Sequence, residues 1–269
     1  MYDAPSYIWV FVLLGVVGII ATTSLVLYRG AVAARLPSVT SLRVAAAVAT
    51  LLGGFILATG LLAGAGVYQE DSGQAAPFFG AAFVTILIAS LMLVRVPVVR
   101  RILAHPGTLA RLALPHAFRF VGGVFLILMA QGHLPAAFAL PAGLGDVATA
   151  AAAAIIARRL ASGRGHTQAV WFNWFGILDL VVAVALGALV GLGPYVAFDV
   201  MPTTEPLALL PLALIPTGVV PILMALHIVS LRRLRAARRT GTTAPMHTVP
   251  PDLRPLARAD SSDIQADAL

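Results

Sequence analysis

From Ala4 to Tyr28 the chain carries no charged residue. A helix of about 20 residues spans the ~30 Å hydrocarbon core of a bilayer, so this one run fixes lipid as the solvent the fold must suit. Backbone polar groups find no water there, which leaves helices or closed barrels as the possible spanning forms. Six more apolar runs of helical length follow. The expected fold is all-α: a polytopic transmembrane helix bundle with seven spans at 8–28, 44–67, 78–94, 120–137, 140–157, 170–192 and 207–231. Residues 232–269 form a cytoplasmic tail, whose Pro, Thr, Ala and Asp content without periodicity reads as disorder.

Composition supports the same reading: 59% of residues are hydrophobic and only 11% charged, with mean hydropathy +0.94. All 18 basic residues are arginine, and cysteine is absent. Disulfides, thiolate metal sites and cysteine nucleophiles are therefore excluded. The arginines flank apolar runs, so the basic balance marks membrane topology and not a nucleic-acid partner.

If the first span runs outside to inside, the cytoplasmic segments collect every arginine: Arg29, Arg35 and Arg43; Arg95, Arg100, Arg101, Arg111 and Arg119; Arg158, Arg159 and Arg164; and all those from Arg232 onward. Asp3, Glu70, Asp71, Asp199 and Glu205 fall outside. Positive charge resists translocation, so this split predicts an outside amino terminus, a cytoplasmic carboxyl terminus and an odd number of spans, with the inner (plasma) membrane as the expected location. The first ten residues include Asp3 and no basic residue, so the first run is expected to persist as a helix and not be cleaved as a signal. Val96–Leu114 mixes apolar residues with Arg100, Arg101 and Arg111, is interrupted by Pro106, and is expected on the inner membrane surface.

Gly60 with Gly64, and Gly187 with Gly191, have the spacing that lets helix backbones approach closely. The second, fifth and sixth spans are expected to be the tightly packed ones. Pro206, Pro211, Pro216 and Pro221 recur every five residues along the last span. An interior proline leaves a carbonyl four residues earlier without its partner. Pro211, Pro216 and Pro221 are therefore candidate hinges, with a kinked packing helix as the alternative.

Ionisable groups inside a bilayer are costly and usually functional. Asp179 is set deep in the sixth span, with no charged residue from Gly165 to Gly193 except itself. Asp146 falls at similar depth in the fifth, unless it caps a short helix at the outer surface. With them, Asn173, His133, His227 and Gln131 make up the candidate ligand-binding or proton-relay set. The Pro/Gly-interrupted stretch 134–146 is compatible with a broken or re-entrant segment. His105, His116, His166 and His247 are assigned no chemistry.

The segments running from His133 to Asp146, from Asn173 to Leu180 and from Pro221 through His227 to Leu231 resemble a set of uncharacterised bacterial multi-pass membrane proteins. That resemblance implies a bacterial integral membrane protein and no particular activity. Gly143-Leu144-Gly145-Asp146 also resembles the motif of GxGD intramembrane aspartyl proteases. The resemblance implies Asp146 and Asp179 as a catalytic pair, although here the partner aspartate follows the motif, which inverts the order of presenilin-like members. Seven spans are similar to microbial rhodopsins, but without lysine a retinal Schiff base is excluded. His133 nearer the outside and His227 nearer the inside argue against a bis-histidine haem b, and no metal site or other cofactor is expected. Phosphate-binding loops, HExxH and nucleophile elbows are absent. The favoured function is binding or conducting a small solute or proton through the second half of the chain, without enzymatic chemistry. An aspartyl hydrolase and a structural or accessory subunit are the alternatives. Expected partners are the bilayer and a small-molecule ligand, with no nucleic acid.

Overall fold

A computed structural model describes residues 4–69, 77–190 and 201–239. Among the described residues the structure is all helical. Six helices or helical runs are long and apolar enough to cross a membrane: α1 (Ser6–Ala33), α2 (Ser38–Gly64), Pro106–Ala130, α7 (Ala136–Ala161), α8 (His166–Leu189) and Ile215–Arg239. A seventh span is counted if α3 (Pro77–Leu93) and α4 (Pro97–Ala104), bent by 74° at their junction, are one broken crossing. Pro97 begins α4 at a position whose missing N–H costs the new helix nothing.

The fourth span departs most from expectation. It begins at Pro106, well before the predicted start at 120, and is assembled from three pieces: α5 (Pro106–Arg111), a 3-10 segment (Leu114–Gly122) and α6 (Gly123–Ala130). Pro106 starts a helix here, with the His105 Nδ1 accepting from the Gly107 N–H as a cap at 3.2 Å. Only α4 of the expected surface segment lies outside this span, turning Arg100 and Arg101 outward over buried Val99, Ile102 and Leu103. Arg119, counted above among cytoplasmic flanks, lies near the middle of the span. An early start also relieves the crowding of the hairpin that follows.

That hairpin turns at Gln131–Pro135. Gly132 adopts φ +76°, and the N–H groups of His133 and Gly132 donate back to Leu128 and Met129 carbonyls at 2.8 and 2.9 Å. This is the left-handed helix ending that glycine enables. The stretch 134–146 is neither broken nor re-entrant: α7 continues unbroken past Pro141. Asp146 consequently sits well inside α7 and caps nothing.

The last span also differs. A short 3-10 turn (Glu205–Ala208) and a π-helical turn (Ile215–Val219) precede α9 (Val220–Arg239). Pro211 lies in the turns before the π turn, Pro216 within it and Pro221 at the start of α9. Helix thus continues to Arg239, beyond the predicted tail boundary at 232; the disorder expected of 240–269 lies outside the described residues.

Close packing falls only partly where predicted. A Cβ on Gly60 or Gly64 would meet only leucine methyls, at 3.4 and 3.6 Å. Gly187 is similarly relaxed, and Gly191 lies outside the described residues. Tight positions are Gly15 and Gly18 of α1, which face Val121 and Phe118 of the 3-10 segment, and, in the fifth and sixth spans as expected, Gly143, Gly145 and Gly176. The core runs along α1, α9 and the fourth span, while α2 remains mostly exposed to the surroundings.

Candidate functional site

In a 3-10 helix, three residues per turn bring i, i+3 and i+6 onto one line. The segment Leu114–Gly122 thereby places His116, Arg119 and Gly122 on one face, turned into the bundle, and all three are buried. This face packs against α7, with α8 and α9 beyond it. Arg119, Asp146, Asp179 and His227 come from four different spans and meet near the middle of the bundle.

Each nitrogen of the Arg119 guanidinium has its own acceptor. Nε donates to Asp146 Oδ1 at 2.6 Å, Nη2 donates to Asp179 Oδ2, and Nη1 reaches His227 Nε2 at 3.4 Å. The hydrogen-bond pattern also assigns the tautomer of His227. Asn173 Nδ2 donates to the Ala169 carbonyl at 2.7 Å, which aims its Oδ1 at His227 Nδ1, 2.9 Å away. An amide oxygen only accepts, so Nδ1 carries the hydrogen, and Nε2 presents a lone pair to the arginine. One directed chain therefore runs from Arg119 through His227 and Asn173 to the backbone of α8.

Glycines make the room. A Cβ on Gly122 would collide with the Asp146 carboxylate, one on Gly145 with that of Asp179, and one on Gly176 with the His227 ring. Each polar side chain lies over a glycine of the preceding span. His116 stacks on His227 with ring centroids 3.8 Å apart and meets the Phe172 ring edge-on. Both His116 ring nitrogens, and the Thr149 hydroxyl one turn beyond Asp146, are buried without hydrogen-bond partners. The Arg119 side chain is 1% exposed, while those of Asp146 and Asp179 retain 14% and 8%. Only the carboxylates keep an edge open.

Of the candidates read from sequence, Asp146, Asp179, Asn173 and His227 converge here. Gln131 and His133 do not: both lie in the exposed turn between α6 and α7, where Gln131 Nε2 donates to the Tyr7 hydroxyl at 2.5 Å. Arg119 and His116 were missed. The three-residue spacing of His116, Arg119 and Gly122 was a signal for them, as was the need of two deep carboxylates for a cation. Thr217, next to Pro216, takes part in a separate polar chain. Thr59 Oγ1 donates to Thr217 Oγ1 (2.7 Å) and Thr217 Oγ1 to the Ala213 carbonyl (2.5 Å), so the Tyr68 hydroxyl, 2.6 Å from Thr59, must be the donor there.

Chemically, the cluster can hold and pass protons or bind a cation. It is poorly suited to an aspartyl protease, whose two carboxyl groups share a proton and activate a water between them. Here a guanidinium bridges the carboxylates. No curated protein and no solved structure matches the chain significantly. Residues 76–235 match a family model described as a domain of unknown function, DUF8737. The match takes in every residue of the cluster and more than half the sequence, and the chain belongs to that family.

Proposed function

We propose that this protein of the plasma membrane binds a proton at the Arg119–Asp146–Asp179 cluster and couples it to movement of a proton or small solute across the bilayer. The observation that carries this reading is charge balance. One guanidinium faces two carboxylates, leaving the ionised cluster one negative charge in excess at mid-bundle. An uncompensated charge in a low-dielectric interior is strongly disfavoured. A single proton on the carboxylate pair makes the cluster neutral, and the open carboxylate edges give it a way in.

The titratable groups facing the pair are Arg119 and His116 from the fourth span and His227 from α9, whose tautomer is already set by Asn173. From the other side of the 3-10 segment, α1 offers Gly15 and Gly18. With Arg119 inside the membrane, the other 15 arginines among the described residues still gather at one end of the spans when α3 and α4 count as one crossing. This supports an outside amino terminus and a cytoplasmic carboxyl terminus.

The test is proton uptake by purified protein in liposomes carrying a trapped pH-sensitive dye, with infrared difference spectroscopy of the carboxyl band. A protonated-carboxyl band that is altered in both Asp146→Asn and Asp179→Asn, with uptake lost, is expected. Uptake and spectrum unchanged by both substitutions would overturn the proposal.

A further inference from the structure

A second feature lies away from the charged cluster, on the side where α3 bends into α4. There α2 packs on α1 and α3 packs on α9, but α2 and α3 make no extended contact with each other. The crevice between them is floored by α1 (Thr23, Val26, Leu27) and α9 (Ile222 to Val229) and walled by Val48 and Leu52 of α2 and Ser90 of α3. The π turn Ile215–Val219 packs against both α2 and α3. Val99 and Leu103 of α4, beyond the 74° bend, line one end of the crevice. Between α2 and α3 the crevice stays open.

The lining is almost wholly apolar and includes no charged residue. Two hydroxyls interrupt it. Thr23 and Ser90 are 7% and 8% exposed, and neither Oγ has a hydrogen-bond partner. A helical serine or threonine ordinarily settles its hydroxyl on the carbonyl one turn back. Neither does so here, which leaves two buried donors in the lining of an apolar cavity. Water is a poor occupant, because it needs two to four polar partners in a site too apolar to retain it.

We infer that this crevice binds a neutral acyl-ester lipid of the diacylglycerol type, one chain lying between α2 and α3 and an ester carbonyl accepting from Thr23 and Ser90. Three observations select this class. The cavity volume is about 60 Å³, whereas an apolar cavity of roughly 150 Å³ is what admits a benzene ring. The cavity therefore suits a single narrow chain better than a ring system. Thr23 lies six residues before Arg29, where the charged flank begins, so ~9 Å below it along the helix axis. A charged headgroup holds a phospholipid's esters near the membrane surface, whereas a neutral headgroup can sink to that depth. The absence of charge from the lining leaves nothing to recognise an ionic group.

The full chain in phosphatidylcholine vesicles, photolabelled with diacylglycerol bearing a diazirine on one acyl chain, tests this. Labelling should concentrate on Thr23–Leu27, Ser90–Val94 and Ile222–Val229, and excess unlabelled diacylglycerol should compete it away. Leu52→Trp and, independently, Val48→Phe should fill the crevice and remove the label. Loss of two neutral hydrogen bonds in the Thr23→Val/Ser90→Ala double variant should raise the half-saturating concentration about tenfold. Uncompeted label spread over outward residues such as Leu57 and Leu61 would overturn the site. Equal labelling by a diazirine hydrocarbon lacking the ester, indifferent to the double variant, would overturn the carbonyl assignment.

Discussion

Replacing Gly176 by alanine tests whether the cluster is as tightly built as its geometry states. A Cβ there would overlap Nε2 and Cε1 of His227 and come within 3.1 Å of its Cδ2. The ring cannot simply withdraw: it is stacked on His116 and held by Asn173 and Arg119. Alanine recovers about 1 kcal/mol of helix propensity relative to glycine. Against this, an overpacked methyl costs about 1–3 kcal/mol. Displacing His227 from Asn173 and Arg119 costs about 1 kcal/mol for each bond. The net expectation is a loss of about 2–4 kcal/mol. Gly60→Ala is the control, because its Cβ would meet only Leu214 Cδ2 at 3.4 Å, and there the propensity gain of up to about 1 kcal/mol should survive. Equilibrium unfolding in mixed micelles, followed by the fluorescence of Trp171 and Trp174 on the outer face of α8, reads both. Equal effects of the two substitutions, or a stabilised Gly176→Ala, would refute the packing argument.

Arg119→Leu should destabilise the fold by about 3–5 kcal/mol, because it strands two carboxylates. Adding Asp146→Asn and Asp179→Asn to it should recover most of that loss in the same unfolding assay, whereas independent sites would give additive losses. Thr217→Val should cost about 1–2 kcal/mol. Combined with Tyr68→Phe it should cost less than the two singles together, since both act on one hydrogen-bonded chain. The absence of cysteine allows single-cysteine topology mapping without background. Ser162→Cys should react with a membrane-impermeant maleimide only from the cytoplasmic side and Gly132→Cys only from the outside, and the reverse would invert the orientation.

Charge-free runs located most of the crossings because hydrocarbon tolerates so few polar side chains. The same logic singled out Asp146, Asp179, Asn173 and His227, which the fold brings together. It failed at Arg119, where a rule about flanking charge was applied to a residue that α7 and α8 neutralise. Nothing local distinguishes an arginine beside a membrane from one inside it; the difference lies in carboxylates far along the chain. Misplacing Arg119 also shifted the start of the fourth span and left His116 without a role. Gly122, Gly145 and Gly176 were equally illegible, since their role is to admit side chains from other spans. Gly60 and Gly64 have the familiar spacing, yet no close neighbour.

The position of Arg119 has a consequence for biosynthesis. The fourth span emerges from the ribosome with an arginine at its centre, a burden of roughly 2.5–3.5 kcal/mol for insertion on its own. The neutralising aspartates follow 27 and 60 residues later. Until α8 has been made, this span should be a poor substrate for release into lipid, and its integration is expected to await the two segments downstream. Insertion should therefore be concerted, with the fourth, fifth and sixth spans leaving the translocation channel as a group. A ribosome-stalled chain ending before Asp179 should leave the fourth span still adjacent to that channel.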